Sequence, residues 1–274
     1  MIPYSRQSIT KTDIEAVKKV LKSKFLSKGP MIKSFERKIS EIVKSNYCLS
    51  ANSGTSALHL ACLALQLKKN DIVWTVPNTY AASANCALHC GATIDFVDID
   101  EKTYNISIEK LKTKLISAQK TKRLPKVIIP VHLAGQPTDQ KEIWKLSKKY
   151  KFKIIEDASH SLGATNHGEK VGSCKWSDLT VFSFHPVKII TTGEGGMVCT
   201  NNKKYFTLMK KIRENGIAFE NKDFEYKKIH PGYYEHQMLG FNYRMSEISA
   251  ALGLSQIKRL KENIKKRNKI AKKY

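Results

Sequence analysis

Residues 181–202, VFSFHPVKIITTGEGGMVCTNN, contain one lysine in an otherwise mostly uncharged run. Lys188 lies between an apolar segment and a Thr-Thr-Gly-Glu-Gly-Gly turn, whereas nearly all other basic residues lie in plainly polar surroundings. Removing an ammonium group from water is costly, so a lysine in such a place needs a partner or loses its proton. A neutral amine is a nucleophile, which makes Lys188 a candidate for covalent chemistry with a carbonyl group.

Ser53, Gly54 and Thr55 open a helical pattern after a short apolar segment that ends at Ala51. Free amides at a helix N-terminus, two hydroxyl groups and a glycine that permits close approach suit an anion such as phosphate. An ordinary Ser/Thr helix cap gives the same pattern. The motif therefore indicates a phosphate cup only in combination with others.

Acidic, imidazole and aromatic side chains follow two other predicted strands. Glu156 and Asp157 end one strand, His160 follows, and Tyr80 begins a helix of small residues beyond another strand. A carboxylate at a strand end can hold a protonated heterocyclic nitrogen, and because adjacent strand residues point to opposite faces, only one of the two faces a given site. A tyrosine ring can stack on a flat ligand. The alternatives are a capping carboxylate, a satisfied core histidine and a core aromatic side chain.

Ser183 and His185 end the strand that precedes Lys188, and the glycines of TTGEGG would let the backbone approach a ligand closely. A phosphate cup, a carboxylate for a ring nitrogen, a stacking aromatic ring and an isolated lysine together indicate a pyridoxal 5'-phosphate site. That cofactor supplies an electron sink, while the protein orients it and tunes its charge. Lys188 would be its covalent tether and then the base that moves a proton between carbon centres.

Apolar runs of strand length alternate with amphipathic stretches of helical length. The predicted strands cover residues 72–77, 93–99, 126–133, 153–159, 179–185 and 195–201. The predicted helices cover residues 55–67, 80–90, 107–119, 138–150 and 203–214. Apolar runs without clean alternation, separated by helices, predict an α/β fold with a largely parallel sheet covered on both faces. Such sheets place their chemistry at the carboxyl ends of the strands.

The composition is that of a globular protein with a strongly basic surface. Of the 274 residues, 41% are hydrophobic and 26% are charged, and the formal net charge is +24. Only seven of the 48 basic residues are arginine, whereas readers of nucleic acid favour clustered arginines with aromatic residues. A solvated lysine-rich surface is therefore favoured over nucleic-acid binding, which remains the alternative from a different class.

No run approaches the roughly 20 apolar residues of a membrane span. The first residues lack an apolar signal region, so we expect a cytoplasmic protein without membrane contact. Of the six cysteines, Cys86 and Cys90 are four residues apart and could supply half of a metal site. Their apolar neighbours favour buried thiols in a reducing compartment, and we predict no metal.

The motifs, in this order and spacing, resemble the DegT/StrS family of sugar aminotransferases, which have the aspartate aminotransferase fold (type I). The similarity runs from YSRQSI and FLSKGPMIKSFE to LGFNYRMSEISAALGLSQ, and SFHPVK with TTGEGG is highly specific for the superfamily. It implies that Lys188 forms the Schiff base with pyridoxal phosphate, that Asp157 pairs with the pyridinium nitrogen and that Tyr80 stacks on the ring. It also implies further contacts: the phosphate with Gly54, Thr55 and Ser183, the ring 3-hydroxyl with His160, and the phosphate of a neighbouring subunit with Asn242.

Sites of this kind are shared across a dimer, so the resemblance implies a homodimer. It also implies transfer of an amino group from L-glutamate to the 4-keto carbon of a UDP-linked 4-keto-6-deoxy-N-acetylhexosamine. Another nucleotide-linked ketosugar is the alternative substrate, and a basic anion-binding protein without catalysis is the alternative function. Dehydrating relatives replace the lysine with histidine, so Lys188 disfavours dehydration.

Residues 246–274 have the pattern of one long helix, whose apolar spacing demands a partner surface. Relatives continue beyond this helix as a small C-terminal domain. We therefore expect residues 1–245 to form the large domain that binds pyridoxal phosphate. Residues 246–274 would be the connecting helix at the start of a truncated C-terminal domain.

Overall fold

A computed structural model describes residues 6–219, 221–226 and 230–274, so Tyr4 and Ser5 of the YSRQSI stretch lie outside the described residues. The strands in chain order are β1 Tyr47–Ala51, β2 Ile72–Thr75, β3 Thr93–Phe96, β4 Val127–Ile128, β5 Lys153–Asp157, β6 Thr165–Asn166, β7 Glu169–Lys170, β8 Leu179–Ser183, β9 Gly196–Thr200, β10 Ile217–Ala218 and β11 Glu235–His236.

Seven strands form the central sheet, in the order β1-β9-β8-β5-β4-β2-β3. β9 is antiparallel to both of its neighbours, and the other adjacent pairs are parallel. β6 with β7, and β10 with β11, form two small antiparallel ribbons. The predicted α/β fold with a mostly parallel sheet is confirmed.

The helices are α1 Lys11–Leu21, α2 Pro30–Val43, α3 Gly54–Ala64, α4 Ala82–Leu88, α5 Ile108–Lys120, α6 Gln140–Tyr150, α7 Lys203–Arg213, α8 Glu247–Ile257 and α9 Leu260–Ala271. Six of them follow a polar residue whose side chain accepts a hydrogen bond from the first turn: Thr10, Ser53, Ser107, Asp139, Asn202 and Ser246. Such caps satisfy amides that the helix itself leaves unpaired, so they fix where these helices begin.

Helices cover both faces of the sheet. One face packs against α3, α4 and α7 through side chains such as Val73, Val127 and Ile155. The strand neighbours of these residues, such as Trp74, Ile128 and Ile154, pack against α5 and α6 on the opposite face. On that second face, α2, α8 and α9 cover the β8–β9 end of the sheet. Burial on both faces explains why the strands are continuous apolar runs.

The end of the chain differs from the prediction of one long helix over residues 246–274. α8 ends at Ile257 and α9 begins at Leu260. Between them, the amide of Lys258 donates to the carbonyl of Ser255 at 3.3 Å, which closes a tighter turn than an α-helix makes. Arg259 Nη2 donates to the buried carboxylate of Asp13 at 2.5 Å. We attribute the break to this ion pair, which ties the chain to α1.

All six predicted strands are shorter in the structure than expected, and the segment 126–133 differs most. The strand predicted over residues 126–133 has regular pairing only at Val127–Ile128, followed by an isolated bridge between Val131 and Asp157. Pro130 lacks an N–H group, so the ladder cannot continue through it. The Pro130 carbonyl nevertheless accepts from the Asp157 amide at 2.9 Å, which keeps this segment beside the end of β5.

Candidate active site

Lys188 lies in the loop between β8 and β9 and is partly removed from solvent. Its amide donates to the carbonyl of His185 at 2.9 Å. No acceptor in the described part of the chain lies within hydrogen-bond distance of its Nζ. Partial burial lowers the pKa of Lys188, and the positive charge of Arg267 lowers it further. The negative charge of Asp157 acts in the opposite direction and raises it. The amine therefore loses its proton more readily than that of an ordinary lysine.

A polar cup lies where α3 begins. Ser53 caps the helix and accepts from the amide of Ser56 at 3.0 Å. The amides of Gly54 and Thr55 have no hydrogen-bond partner among the described residues. A Cβ on Gly54 would lie 3.0 Å from Cβ of Ser183 and 3.1 Å from its Oγ, so the end of β8 lies directly against this turn. The cap and the open amides therefore exist together, and the open amides suit an anion.

Gly195 and Gly196 permit close packing, but the atoms they approach belong to the protein. A Cβ on Gly196 would overlap the carbonyl of Ser53, and one on Gly195 would overlap Oγ1 of Thr192. Gly196 thus lets β9 pass close to the cap of α3, whereas Gly195 makes room for Thr192 of its own turn. A Cβ on Gly193 of the same turn would meet nothing within 4 Å, so the approach of a ligand to the TTGEGG backbone stays a prediction.

Asp157 ends β5 and is buried. Its Oδ2 accepts from Oγ of Ser83 in α4 at 2.6 Å. Its Oδ1 accepts from the amide of Ser159 at 3.2 Å and from the hydroxyl of the same residue at 2.6 Å. These hydrogen-bond partners are all neutral, so the buried carboxylate can still take a positively charged partner such as a protonated ring nitrogen.

Glu156 faces the opposite side of the sheet and is held by a separate set of partners. Its Oε2 lies 2.8 Å from Nε2 of His132, and its Oε1 accepts from Oγ1 of Thr180 at 2.9 Å and from Oγ of Ser177. The amide of Thr138 donates to Nδ1 of His132 at 3.2 Å, so Nε2 carries the ring proton and donates to Glu156. The buried partners of Glu156 make it a structural carboxylate.

His160 and Tyr80 are exposed. The alternative of a core histidine for His160 and that of a core aromatic side chain for Tyr80 are therefore wrong. Tyr80 is 80% exposed and precedes Ser83 by one helical turn, and its carbonyl accepts from the Ser83 amide at 3.1 Å. The pKa of His160 is lowered mainly by partial burial and to a smaller extent by the charge of Lys188. The charge of Asp157 raises this pKa and so offsets part of the shift. Tyr80 and His160 thus lie on two segments that both approach Asp157.

Asn242 is exposed and lies in the segment before α8. Its carbonyl accepts from Nδ2 of Asn52 at 3.5 Å, and the carbonyl of Tyr243 accepts from the Asn52 amide at 2.8 Å. Because Asn52 directly precedes the cap of α3, this segment borders the cup of its own subunit. The other two motif residues, His185 and Glu194, are exposed, with Nε2 and Oε1 3.9 Å apart.

An open cavity of about 680 Å³ lies beside Lys188. The loops after β5 and β8 and the helix α9 form its walls, which include His160, Gly163, Lys188, Ile264, Arg267 and Asn268. A cavity of this size with a few convergent polar groups suits a small polar molecule. The cup and Asp157 lie outside the lining of this cavity. Open amides at α3, a buried carboxylate with neutral partners and an amine without an acceptor among the described residues are nevertheless groups that fit pyridoxal phosphate.

The cysteines are free, and all but the half-buried Cys90 are buried. Cys90 donates to the carbonyl of Cys86 at 3.4 Å. Within the described ranges, no three His, Cys, Asp or Glu side chains are grouped so that they could hold a metal ion. None of the described helices has the length and apolar character needed to cross a bilayer.

The sequence model of the DegT/DnrJ/EryC1/StrS aminotransferase family matches residues 7–274. This chain belongs to that family. Over its full length it is 41% identical to the UDP-4-amino-4,6-dideoxy-N-acetyl-beta-L-altrosamine transaminase of Campylobacter jejuni serotype O:23/36, strain 81-176, and covers 69% of that protein.

Solved structures agree with this assignment. Helicobacter pylori PseC, an aminotransferase involved in the biosynthesis of pseudoaminic acid, is 34% identical with a TM-score of 0.83, over 94% of this chain and 65% of that one. The PMP form of the putative sugar aminotransferase Spr1654 from Streptococcus pneumoniae is 28% identical with a TM-score of 0.88, over 99% of this chain and 71% of that one. This family and these neighbours place the protein among the pyridoxal phosphate-dependent sugar aminotransferases of fold type I.

Several residues of the site region were not predicted. Ser83 and Ser159 hold the carboxylate of Asp157, and Asn263 and Arg267 of α9 contact the Lys188 loop. Ser83 could have been found, because it lies three residues after Tyr80 within the predicted helix over residues 80–90. The α9 residues carry no local signal, because they are more than seventy positions from the loop that they contact.

Proposed function

We propose that this protein transfers an amino group from L-glutamate to a UDP-linked 4-keto-6-deoxy-N-acetylhexosamine. The product would be UDP-4-amino-4,6-dideoxy-N-acetyl-β-L-altrosamine, a step in pseudaminic acid biosynthesis. Support for the substrate comes from the 41% identical Campylobacter transaminase named for this product. The observation that carries the chemistry is the partly buried Lys188 amine, which has no acceptor among the described residues.

The site residues would divide the work of holding the cofactor. Lys188 is the residue to which it would be linked, and the buried Asp157 carboxylate would hold its ring nitrogen in the protonated state. Tyr80 would stack on the ring, and His160 would lie near the 3-hydroxyl. The open amides of α3 at Gly54 and Thr55, with the Ser183 hydroxyl, would bind the phosphate. Pyridoxal phosphate itself supplies the electron sink.

Lys188 would also move the proton. Its pKa is lowered by partial burial, so more of the amine is neutral and able to accept a proton near neutral pH than for an exposed lysine. Once protonated, the same Nζ can return the proton to a neighbouring carbon, since no acceptor among the described residues holds it away. Transamination moves a proton from one carbon atom to another, and Lys188 would act as the base at both.

We further propose a cytoplasmic homodimer with shared sites, in which Asn242 contacts the phosphate bound by the neighbouring subunit. Asn242 is exposed, and its backbone borders the cup through Asn52. Residues 1–245 would form the large domain, and residues 246–274, with α8 and α9, would form the connecting segment.

The substrate assignment is tested by incubating the purified protein with UDP-4-keto-6-deoxy-N-acetylhexosamine, L-glutamate and pyridoxal phosphate. We expect a 4-amino product, identified by mass spectrometry and NMR, and formation of 2-oxoglutarate. Amination of only another nucleotide-linked ketosugar would retain the enzyme class and overturn the substrate. Lack of amination with every such sugar would overturn the proposed function.

A basic protein without catalysis is the second candidate, and the arginines do not favour it. Arg213 pairs with Glu36 at 2.7 Å, and Arg259 pairs with Asp13 at 2.5 Å. Arg267 donates to loop carbonyls. These three of the seven guanidinium groups make contacts within the chain, which reduces the number that could bind a polyanion.

A further inference from the structure

Helix α9 holds the loop that carries Lys188. Asn263 Nδ2 donates to the carbonyl of Ile189 at 3.0 Å. Arg267 Nη2 donates to the carbonyl of Val187 at 3.0 Å and to that of Lys188 at 2.9 Å. The three carbonyls are consecutive, so two side chains one turn apart on the helix fix the backbone on both sides of the lysine.

The same helix packs on the loop that follows Asp157. Gly163 has a φ of +90°, a conformation that glycine adopts without strain. A Cβ at this position would overlap Cδ1 of Ile264, so α9 approaches this loop as closely as a residue without a side chain allows. Leu260 and Ile264 also pack in one apolar cluster with Leu162. One helix therefore contacts the Lys188 loop and the loop after Asp157, two of the segments that line the cavity.

The charged groups around the Lys188 amine come from several elements. Asp157 of β5 raises the pKa of Lys188, whereas Arg267 of α9 adds to the lowering that burial causes. His160 is close enough for its own pKa to be lowered by Lys188. Arg6 and Lys266 line a smaller depression on the other side of the lysine loop. Of these residues, Arg267 also holds the loop backbone.

We propose that Arg267 and Asn263 are positioning residues for Lys188, which hold its loop so that the amine stays in the cavity and within range of the charge of Asp157. In this proposal the guanidinium also favours the neutral amine. The inference rests on the proposed role of Lys188 as the lysine that binds the cofactor. Arg267 is exposed, so solvent competes for its hydrogen bonds and the expected effects are moderate.

The test compares Arg267→Leu, Arg267→Lys and Asn263→Leu with a control, Lys269→Gln. Lys269 is an exposed residue of the same helix, so the control removes one charge from α9 without touching the lysine loop. The first readout is trace acetylation of the cofactor-free protein as a function of pH, with mass spectrometry of the peptide that contains Lys188. The second is the affinity for pyridoxal phosphate, and the thermal unfolding midpoint reports whether each variant is folded.

Arg267→Leu should move the acetylation midpoint of Lys188 to higher pH, because it removes a positive charge that disfavours protonation. It should also weaken cofactor binding about fivefold, as expected for the loss of a moderate hydrogen-bond contribution. Asn263→Leu should weaken binding without moving the midpoint, since it removes no charge. Arg267→Lys should keep the wild-type midpoint, and Lys269→Gln should match the wild type in both readouts.

The proposal is overturned if Arg267→Leu and Asn263→Leu match the Lys269→Gln control in both midpoint and affinity. If Arg267→Leu does not fold, the other two variants decide: a wild-type affinity in Asn263→Leu or a shifted midpoint in Arg267→Lys contradicts it. A separate measurement shows whether the proposed role of Lys188 as the cofactor-binding lysine is wrong. In that case Lys188→Ala would keep the visible absorption of a lysine-linked cofactor, whatever the α9 variants do.

Discussion

Two adjacent carboxylates at the end of β5 have different surroundings. Glu156 is enclosed by His132, Ser177 and Thr180, whereas Asp157 has neutral partners and approaches the amine of Lys188. The alternation of strand side chains predicts that the two face opposite sides of the sheet. The partners of Glu156 could not be predicted, because they come from two segments separated from it along the chain, one at His132 and one at Ser177–Thr180.

Asp157→Asn should slow turnover by ~10²-fold or more, because a neutral side chain no longer keeps the ring nitrogen of the cofactor protonated. The measurement is the rate of 2-oxoglutarate formation from L-glutamate with saturating ketosugar. Glu156→Gln is the matched control. It should lower the thermal midpoint, since it alters a buried set of hydrogen bonds, but leave turnover close to that of the wild type. A larger loss of turnover in Glu156→Gln than in Asp157→Asn would contradict the assignment.

Among the helices and strands, the sequence pattern predicted the central α/β alternation. It did not predict the first two helices or the contacts that fix them. Helices α1 and α2 were not predicted, although Thr10 and Asp13 form a capping box at the start of α1. Glu247 shows this for α2: its buried carboxylate accepts from the amides of Met31 at 2.8 Å and Ile32 at 3.0 Å. A contact between residues this far apart in the chain has no local sequence signal.

Glu247→Ala should destabilise the protein by about 2–4 kcal/mol, because it leaves two amides at the N-terminus of α2 without a charged acceptor. The measurement is the free energy of unfolding in urea. Glu262→Ala is the control, because Glu262 is exposed and pairs only with Lys266 on the surface of α9. It should change the stability little. Equal effects of the two substitutions would show that the Glu247 carboxylate does not hold α2.

At the scale of the whole molecule, a site shared by two subunits can be tested by complementation. Lys188→Ala and Asn242→Ala would each impair every site of a homodimer. If Asn242 acts across the interface, a mixed dimer regains one site with both residues intact, so mixing the two variants should restore part of the activity. Lack of any recovery, with exchange of subunits confirmed by native mass spectrometry, would place Asn242 in the site of its own subunit.

The net charge of +24 also makes a prediction about polyanions. A dispersed lysine surface should bind random DNA weakly, and that binding should disappear at ~0.2 M salt. Fluorescence anisotropy with a labelled duplex at increasing salt measures this. Tight and sequence-selective binding at that salt would instead support the basic binding protein as the function.

Among the many lysines of this chain, Lys188 is the one proposed to carry the cofactor. The most direct measurement is to load the protein with pyridoxal phosphate, reduce it with borohydride, and map the phosphopyridoxyl group by peptide mass spectrometry. We expect one modified residue, Lys188, and loss of that label in Lys188→Ala. Modification spread over many lysines, or concentrated on another lysine while Lys188 remains unmodified, would contradict this account.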